Sequence, residues 1–84
     1  MTTYTIQTAA SRSNRWHTLG HSKTLAAAVK RALRAQTEGS VTARVLLTRE
    51  QLDAALASGE AFETVNGEVL DRERSMRLDV EAAS

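Results

Sequence analysis

The chain is 84 residues long, 42% hydrophobic and 25% charged with a net charge of +1, which fits one globular domain, residues 1–84, and no more. A domain of this size buries only about 60 to 65% of its unfolded surface, and with one Trp, one Tyr and one Phe its core is left to Leu, Val, Ile and Ala. No cysteine is present, and His17 and His21 are the two imidazoles, which excludes a disulfide scaffold and a thiol nucleophile and leaves a closed zinc site short of ligands.

Tyr4, Ile6 and Thr8 alternate with Thr3, Thr5 and Gln7, the period of a half-buried strand, and predict a first strand over 2–9. The small and polar run Ala10-Ser11-Arg12-Ser13-Asn14 suits a turn. Arg15-Trp16-His17-Thr18-Leu19 then predicts a short second strand that Gly20 stops. Ser22 or Thr24 caps the next segment, because a side-chain oxygen there meets an amide that the first helical turn leaves unpaired. Leu25, Ala28, Val29, Ala32 and Leu33 follow at the spacing of one apolar helical stripe, and Gly39 ends that helix. Val41, Ala43, Val45 and Leu47 alternate with Thr42, Arg44 and Leu46 and predict a strand central in the sheet. Thr48-Arg49-Glu50-Gln51 fits a capping box, the threonine and glutamine each meeting a free amide of the other's segment. The helix it opens buries Leu52, Ala55 and Leu56, points Glu50 and Asp53 outward where the dipole favours acids, and stops at Gly59.

Ala61-Phe62-Glu63-Thr64-Val65 and Glu68-Val69-Leu70-Asp71 flank Asn66-Gly67, a dipeptide that adopts the positive φ angles of a tight hairpin. A two-residue loop sets Phe62 across from Asp71; a three-residue bulged loop sets it across from Leu70, the better pairing. Beyond the charged run Asp71-Arg72-Glu73-Arg74, Met76, Leu78 and Val80 alternate with Arg77, Asp79 and Glu81 and predict a last strand, with Ala82-Ala83-Ser84 fraying. The order is β-β-α-β-α-β-β. Short connections between most neighbours predict an α+β fold, a small mostly antiparallel sheet with two helices packed on it.

Constellations for catalysis are missing. Ser11, Ser13 and Ser22 lie near the histidines without a Gly-x-Ser-x-Gly elbow, and Gly20, Gly39, Gly59 and Gly67 form no phosphate-cradling run. The carboxylate pairs Glu60 with Glu63 and Asp71 with Glu73 sit in or beside turns, where acids face solvent. His17 and His21 are four apart, but the residues around them are strand-like and the nearest acid in sequence is Glu38. The chain therefore reads as a non-enzyme without metal or cofactor. No apolar run approaches the roughly 18 residues of a membrane span, and Met1-Thr2-Thr3-Tyr4 lacks the order of a signal peptide, so a cytoplasmic location away from membranes is expected.

Charge is divided along the chain. Residues 1–49 hold eight basic side chains against one acid, Glu38, whereas residues 50–84 hold three against nine. Two binding surfaces follow, beside the possibility that the halves neutralise each other on folding. The first is acidic: Glu60, Glu63, Glu68, Asp71 and Glu73 on or near the hairpin, with Glu50 and Asp53 on the second helix, suited to a lysine- and arginine-rich protein surface of the kind that holds DNA phosphates. The second is basic: Lys23, Lys30, Arg31 and Arg34 on the outer side of the helix over 23–36, with Arg12 and Arg15 before it, suited to nucleic-acid phosphates, with Trp16 or His17 to stack a base.

Short, cysteine-free α+β chains of polarised charge, with elements such as the strand Tyr4 to Thr8, the cationic helix Lys23 to Arg34 and the hairpin around Asn66-Gly67, resemble phage-encoded anti-CRISPR proteins that act on multi-subunit type I surveillance complexes. The resemblance is one of format across the whole chain. It implies a non-catalytic inhibitor in the cytoplasm of a bacterial host, binding a subunit of such a complex so that target DNA does not engage. The alternative is a small nucleic-acid-binding protein using the cationic helix, and a third reading is a regulatory or antitoxin-like partner protein. An unpaired edge strand near either terminus would support a homodimer by strand addition.

Overall fold

The computed structural model describes residues 3–10, 15–39 and 41–81. Along the chain run β1 (Tyr4–Ala10), β2 (His17–Ser22), α1 (Leu25–Gly39), β3 (Val41–Leu47), α2 (Arg49–Ser58), β4 (Ala61–Glu63), β5 (Val69–Asp71) and β6 (Arg77–Val80). The class is α+β as expected, with one strand more than the predicted order. The expected turn around Arg12 and the closing residues 82–84 lie outside the described residues.

The strands form one sheet in the order β2-β1-β3-β6-β5-β4. Neighbours are antiparallel except β3 and β6, which are parallel. β3 is central because its alternation puts Ala43, Val45 and Leu47 on one face, each buried. On that face Ile6 of β1 and Leu78 of β6 both pair with Val45. The stripe of α1, Leu25, Ala28, Val29 and Ala32, closes over it together with Leu52 and Ala55 of α2, and all of these join Ala61 and Met76 in one core. The largest fully buried side chains are Ile6, Leu47 and Val45, each worth about 1.5 to 3 kcal/mol of burial, so stability rests on many small aliphatic contacts and on well-made ends.

The helix ends are built as the residue types dictate. Thr24 Oγ1 accepts from Ala27 N at 3.1 Å, so threonine rather than Ser22 caps α1. At α2 the capping box is complete: Thr48 Oγ1 accepts from Gln51 N, and Gln51 Oε1 accepts from Thr48 N at 2.8 Å. Gln51 is buried, and its Nε2 also donates to Thr3 O at 3.1 Å, which ties the helix start to the beginning of β1. The β4–β5 hairpin uses the three-residue loop, with Phe62 across from Leu70. Gly67 supplies φ +84°, its N–H donates to Thr64 O at 3.0 Å, and Thr64 N donates to Glu68 O at 2.7 Å, the bulged turn in which a positive φ is required.

Two boundaries differ from expectation: the helix expected over 23–36 runs Leu25–Gly39, which leaves Lys23 ahead of it, and the second strand passes its expected stop. Gly20 does not stop β2; it pairs with Ile6 inside a strand that continues to Ser22. Leu19 is the extra residue of a bulge, since Ile6 faces Gly20 while Gln7 faces Thr18. The glycine is there for a close approach: a Cβ on Gly20 would stand 2.7 Å from Nη2 of Arg31, whose Nη1 donates to His21 O at 2.9 Å. A side chain of α1 thus lies flat on the backbone of β2.

Candidate functional site

The strand order decides what becomes of the divided charge. β2, β1 and β3 come from the first part of the chain and lie side by side; β6, β5 and β4 come from the second part and form the other half of the sheet. Their helices follow them, α1 over β1 and β3, and α2 against β4. Among the described residues, 3–47 carry six basic side chains against one acid, and 48–81 carry four against nine. Folding therefore gathers most of each sign on its own half of the sheet, although Lys30 of α1 and Arg49, Arg74 and Arg77 line the same depressions as the glutamates.

At the acidic end Glu60, Glu63, Glu68 and Glu73 are exposed. The ion pairs among the described residues are Arg34 with Glu38, Arg44 with Asp79, Arg49 with Asp53 and Arg77 with Asp79; none uses those four glutamates. Two nearby arginines are committed elsewhere. Arg72 donates through Nε to Gly59 O at 2.7 Å and lies 5.6 Å over the Phe62 ring, while Arg77 is held by Asp79 at 3.0 Å. The glutamates occupy two neighbouring depressions. Glu60 and Glu73 line a cleft of about 240 Å³ with Lys30 and Arg74 over Leu25 and Val29, below the roughly 300 Å³ at which small-molecule pockets begin. Glu63 and Glu68 line an open groove with Arg49 and Arg77 over Leu52 and Leu56.

Asp71 does not belong to this surface. It is buried at 6% exposure, and its carboxylate is filled by the turn that follows: Oδ1 accepts from Met76 N at 2.6 Å, and Oδ2 accepts from Glu73 N and Arg74 N at 3.1 Å each. The β4–β5 register explains the correction. Ala61 pairs with Asp71, and buried Ala61 faces the helices, so Asp71 faces them too and is buried because the turn amides supply its partners. Its pairing with Glu73 is a turn bond and not a pair of solvent-facing acids.

The basic end is carried by α1. Lys23, Lys30, Arg31 and Arg34 are all exposed; Arg31 is fixed by its bond to His21 O, and Arg34 pairs with Glu38 at 3.1 Å in a fully solvated i,i+4 bridge. Arg15 is exposed at the approach to β2; Arg12 lies outside the described residues. Of the two expected base-stacking side chains His17 is exposed, whereas Trp16 is half-buried and carries the Arg44 guanidinium 4.1 Å from its ring centroid. Arg44 also donates to Gln7 Oε1 through Nε at 3.1 Å and Nη2 at 2.7 Å, and to Asp79 Oδ2 through Nη1 at 2.9 Å. This network lies on the sheet face turned away from the helices and bridges the β3–β6 junction. It escaped sequence reading because its members are distant in the chain and each alone looks like a surface residue.

The bulge in β2 also separates the histidines: His17 pairs with Thr8 and His21 with Thr5, on opposite faces of the sheet. His21 Nδ1 lies 3.1 Å from Thr5 Oγ1. Three large apolar side chains are exposed among the described residues: Val65 at the hairpin tip at 103%, Leu19 on the bulge at 47% and Val80 of β6 at 39%. Among the described residues no helix is long and apolar enough to cross a membrane. No protein-family model, curated protein or solved structure matches the chain.

Proposed function

We propose that this protein is a non-catalytic binding protein that acts by occupying a partner's surface, with Glu60, Glu63, Glu68 and Glu73 docked on a lysine- and arginine-rich face of another protein. The observation that carries the reading is the strand order, which gathers the acids on one half of the sheet, while none of the ion pairs among the described residues uses those four glutamates. A face of that composition on nucleic-acid machinery is where phosphates sit. Occupying it keeps the nucleic acid out, which is the mode of an anti-CRISPR inhibitor of a type I surveillance complex in the cytoplasm of a bacterial host. Complementary charge raises the association rate and selects the partner more than it adds affinity, so binding should weaken with salt.

The test is binding of the full chain to a purified type I surveillance complex, read by interferometry and by loss of target-DNA binding. Saturation at a fixed stoichiometry is expected, with Glu63→Lys and Glu68→Lys together weakening the interaction by about tenfold or more. Absence of binding, or equal sensitivity to Lys30→Glu with Arg34→Glu, would overturn the reading.

A second reading has its own observation, Lys30, Arg31 and Arg34 on α1 with Lys23 just ahead of it and Glu38 as the helix's one acid. It suits phosphate contacts, which carry no sequence information, so the binding would be indifferent to sequence. A mobility shift with duplex DNA at two salt concentrations tests it. Retention at low salt whose salt slope falls with Lys30→Ala and Arg34→Ala supports it, and no retarded species at low salt eliminates it.

A further inference from the structure

We infer that the protein associates head to tail with a second copy of itself, the β4–β5 hairpin tip of one copy seated in the groove between α1 and β2 of the next. The two most exposed large apolar side chains among the described residues, Val65 and Leu19, mark the two surfaces. Val65 stands fully exposed at the hairpin tip, with Glu63 and Glu68 on either side of the loop. Leu19 with Ala35 and Val41 forms the apolar floor of an open groove of about 500 Å³, whose rim carries Arg31 and Arg34. Glu38, also on that rim, is paired with Arg34. An apolar knob flanked in the chain by two carboxylates thus meets a groove lined by apolar side chains, two guanidiniums and one carboxylate.

The two surfaces lie at diagonal corners of the sheet. The groove is at the β2 edge where β3 begins at Val41. The register Val69 to Leu78 to Val45 puts the hairpin tip at the other edge, where β3 finishes. A molecule therefore does not fill its own groove. Each contact leaves one tip and one groove free, so the association is heterologous and grows as a chain. Strand addition is the less favoured contact, since β2 is interrupted by its bulge and β4 has three residues, both features that blunt sheet edges. The inference shares Glu63 and Glu68 with the proposed partner surface but stands without that reading.

Sedimentation velocity of the full chain over rising concentration tests it. The weight-average mass should climb at low salt and fall back at high salt. Leu19→Asp removes the hollow and Val65→Asp removes the knob, so each variant alone should be monomeric. An equimolar mixture should form dimers and no larger species, because one variant keeps an intact tip and the other an intact groove. Both positions are solvent-exposed, and unchanged far-UV circular dichroism melting shows that each variant is folded; Leu19→Ser and Val65→Ser repeat the test with uncharged side chains. A wild-type chain that stays monomeric at every concentration, a variant that still associates, or a mixture that stays monomeric would each overturn the inference. Leu19→Asp leaves the acidic end intact, so loss of self-association is separable from loss of partner binding.

Discussion

Replacing Asp71 tests whether a charged residue in a charged run is a structural staple. In Asp71→Ala the three turn amides lose their acceptor. Those of Glu73 and Arg74 belong to exposed residues and find water, but Met76 is 4% exposed and its N–H, now 2.6 Å from Oδ1, is left buried and unpaired. A hydrogen bond to a charged group contributes about 1.5 to 3 kcal/mol, so the alanine variant should lose about 3 kcal/mol once the weaker exposed bonds are included. The whole domain, at roughly 0.05 to 0.15 kcal/mol per residue, has only about 4 to 12 kcal/mol. A loss of that size lowers the melting temperature by about 12 to 24 °C. Asp71→Asn keeps one acceptor oxygen for Met76 while turning an NH₂ towards the two exposed amides, and should cost about half as much. Urea unfolding followed by circular dichroism measures both, with Glu73→Ala as a control that changes stability by less than about 0.5 kcal/mol. An alanine variant within about 1 kcal/mol of wild type, or an asparagine variant as unstable as alanine, would refute the reasoning.

Three further outcomes are expected. Arg44→Met should cost about 1 to 2 kcal/mol and shift the Trp16 emission, because it removes the ring contact and three donated bonds from a side chain 20% exposed; unchanged fluorescence would show that the two do not stack in solution. Thr48→Ala should cost about 1 kcal/mol in the same urea assay through loss of the capping box, and no change would mean that the box is not formed in solution. Ser75 holds φ +57°, so Ser75→Gly should be neutral or stabilising by up to about 1 kcal/mol, while a β-branched Ser75→Val should destabilise; the reverse ranking would argue against the left-handed turn.

Elements whose signal is local were legible in the chain. The alternation of β3, the stripe of α1, the capping box at Thr48 and the bulged hairpin at Asn66-Gly67 each rest on residues within about one turn or strand of each other. What failed depends on which face a residue is given and what meets it there. Gly20 looks like a stop because glycine usually ends a strand, and only the guanidinium of Arg31 shows why it lies inside one. Asp71 looks solvated because Arg72, Glu73 and Arg74 follow it, yet the register with Ala61 turns it inward. Counting charges found the two signs, but their separation in space comes from the strand order, which local pattern does not encode. Glu60, Glu63, Glu68 and Glu73 emerge exposed, whereas Trp16 is taken up by an arginine 28 positions away.

The parallel junction of β3 with β6 has a kinetic side. It joins Val45, Leu46 and Leu47 to Leu78, Asp79 and Val80, with Glu81 N donating to Leu47 O at 2.8 Å, so the latest strand to leave a ribosome is inserted in the middle of the sheet. Early during synthesis β1, β2, β3 and α1 can assemble from local contacts, but one flank of β3 waits bare until residues 77 to 81 arrive. Contacts of such long loop closure are slow to form, and an open β3 flank is a template for other chains. Overexpression should therefore expose the nascent protein to aggregation until its final strand is threaded home.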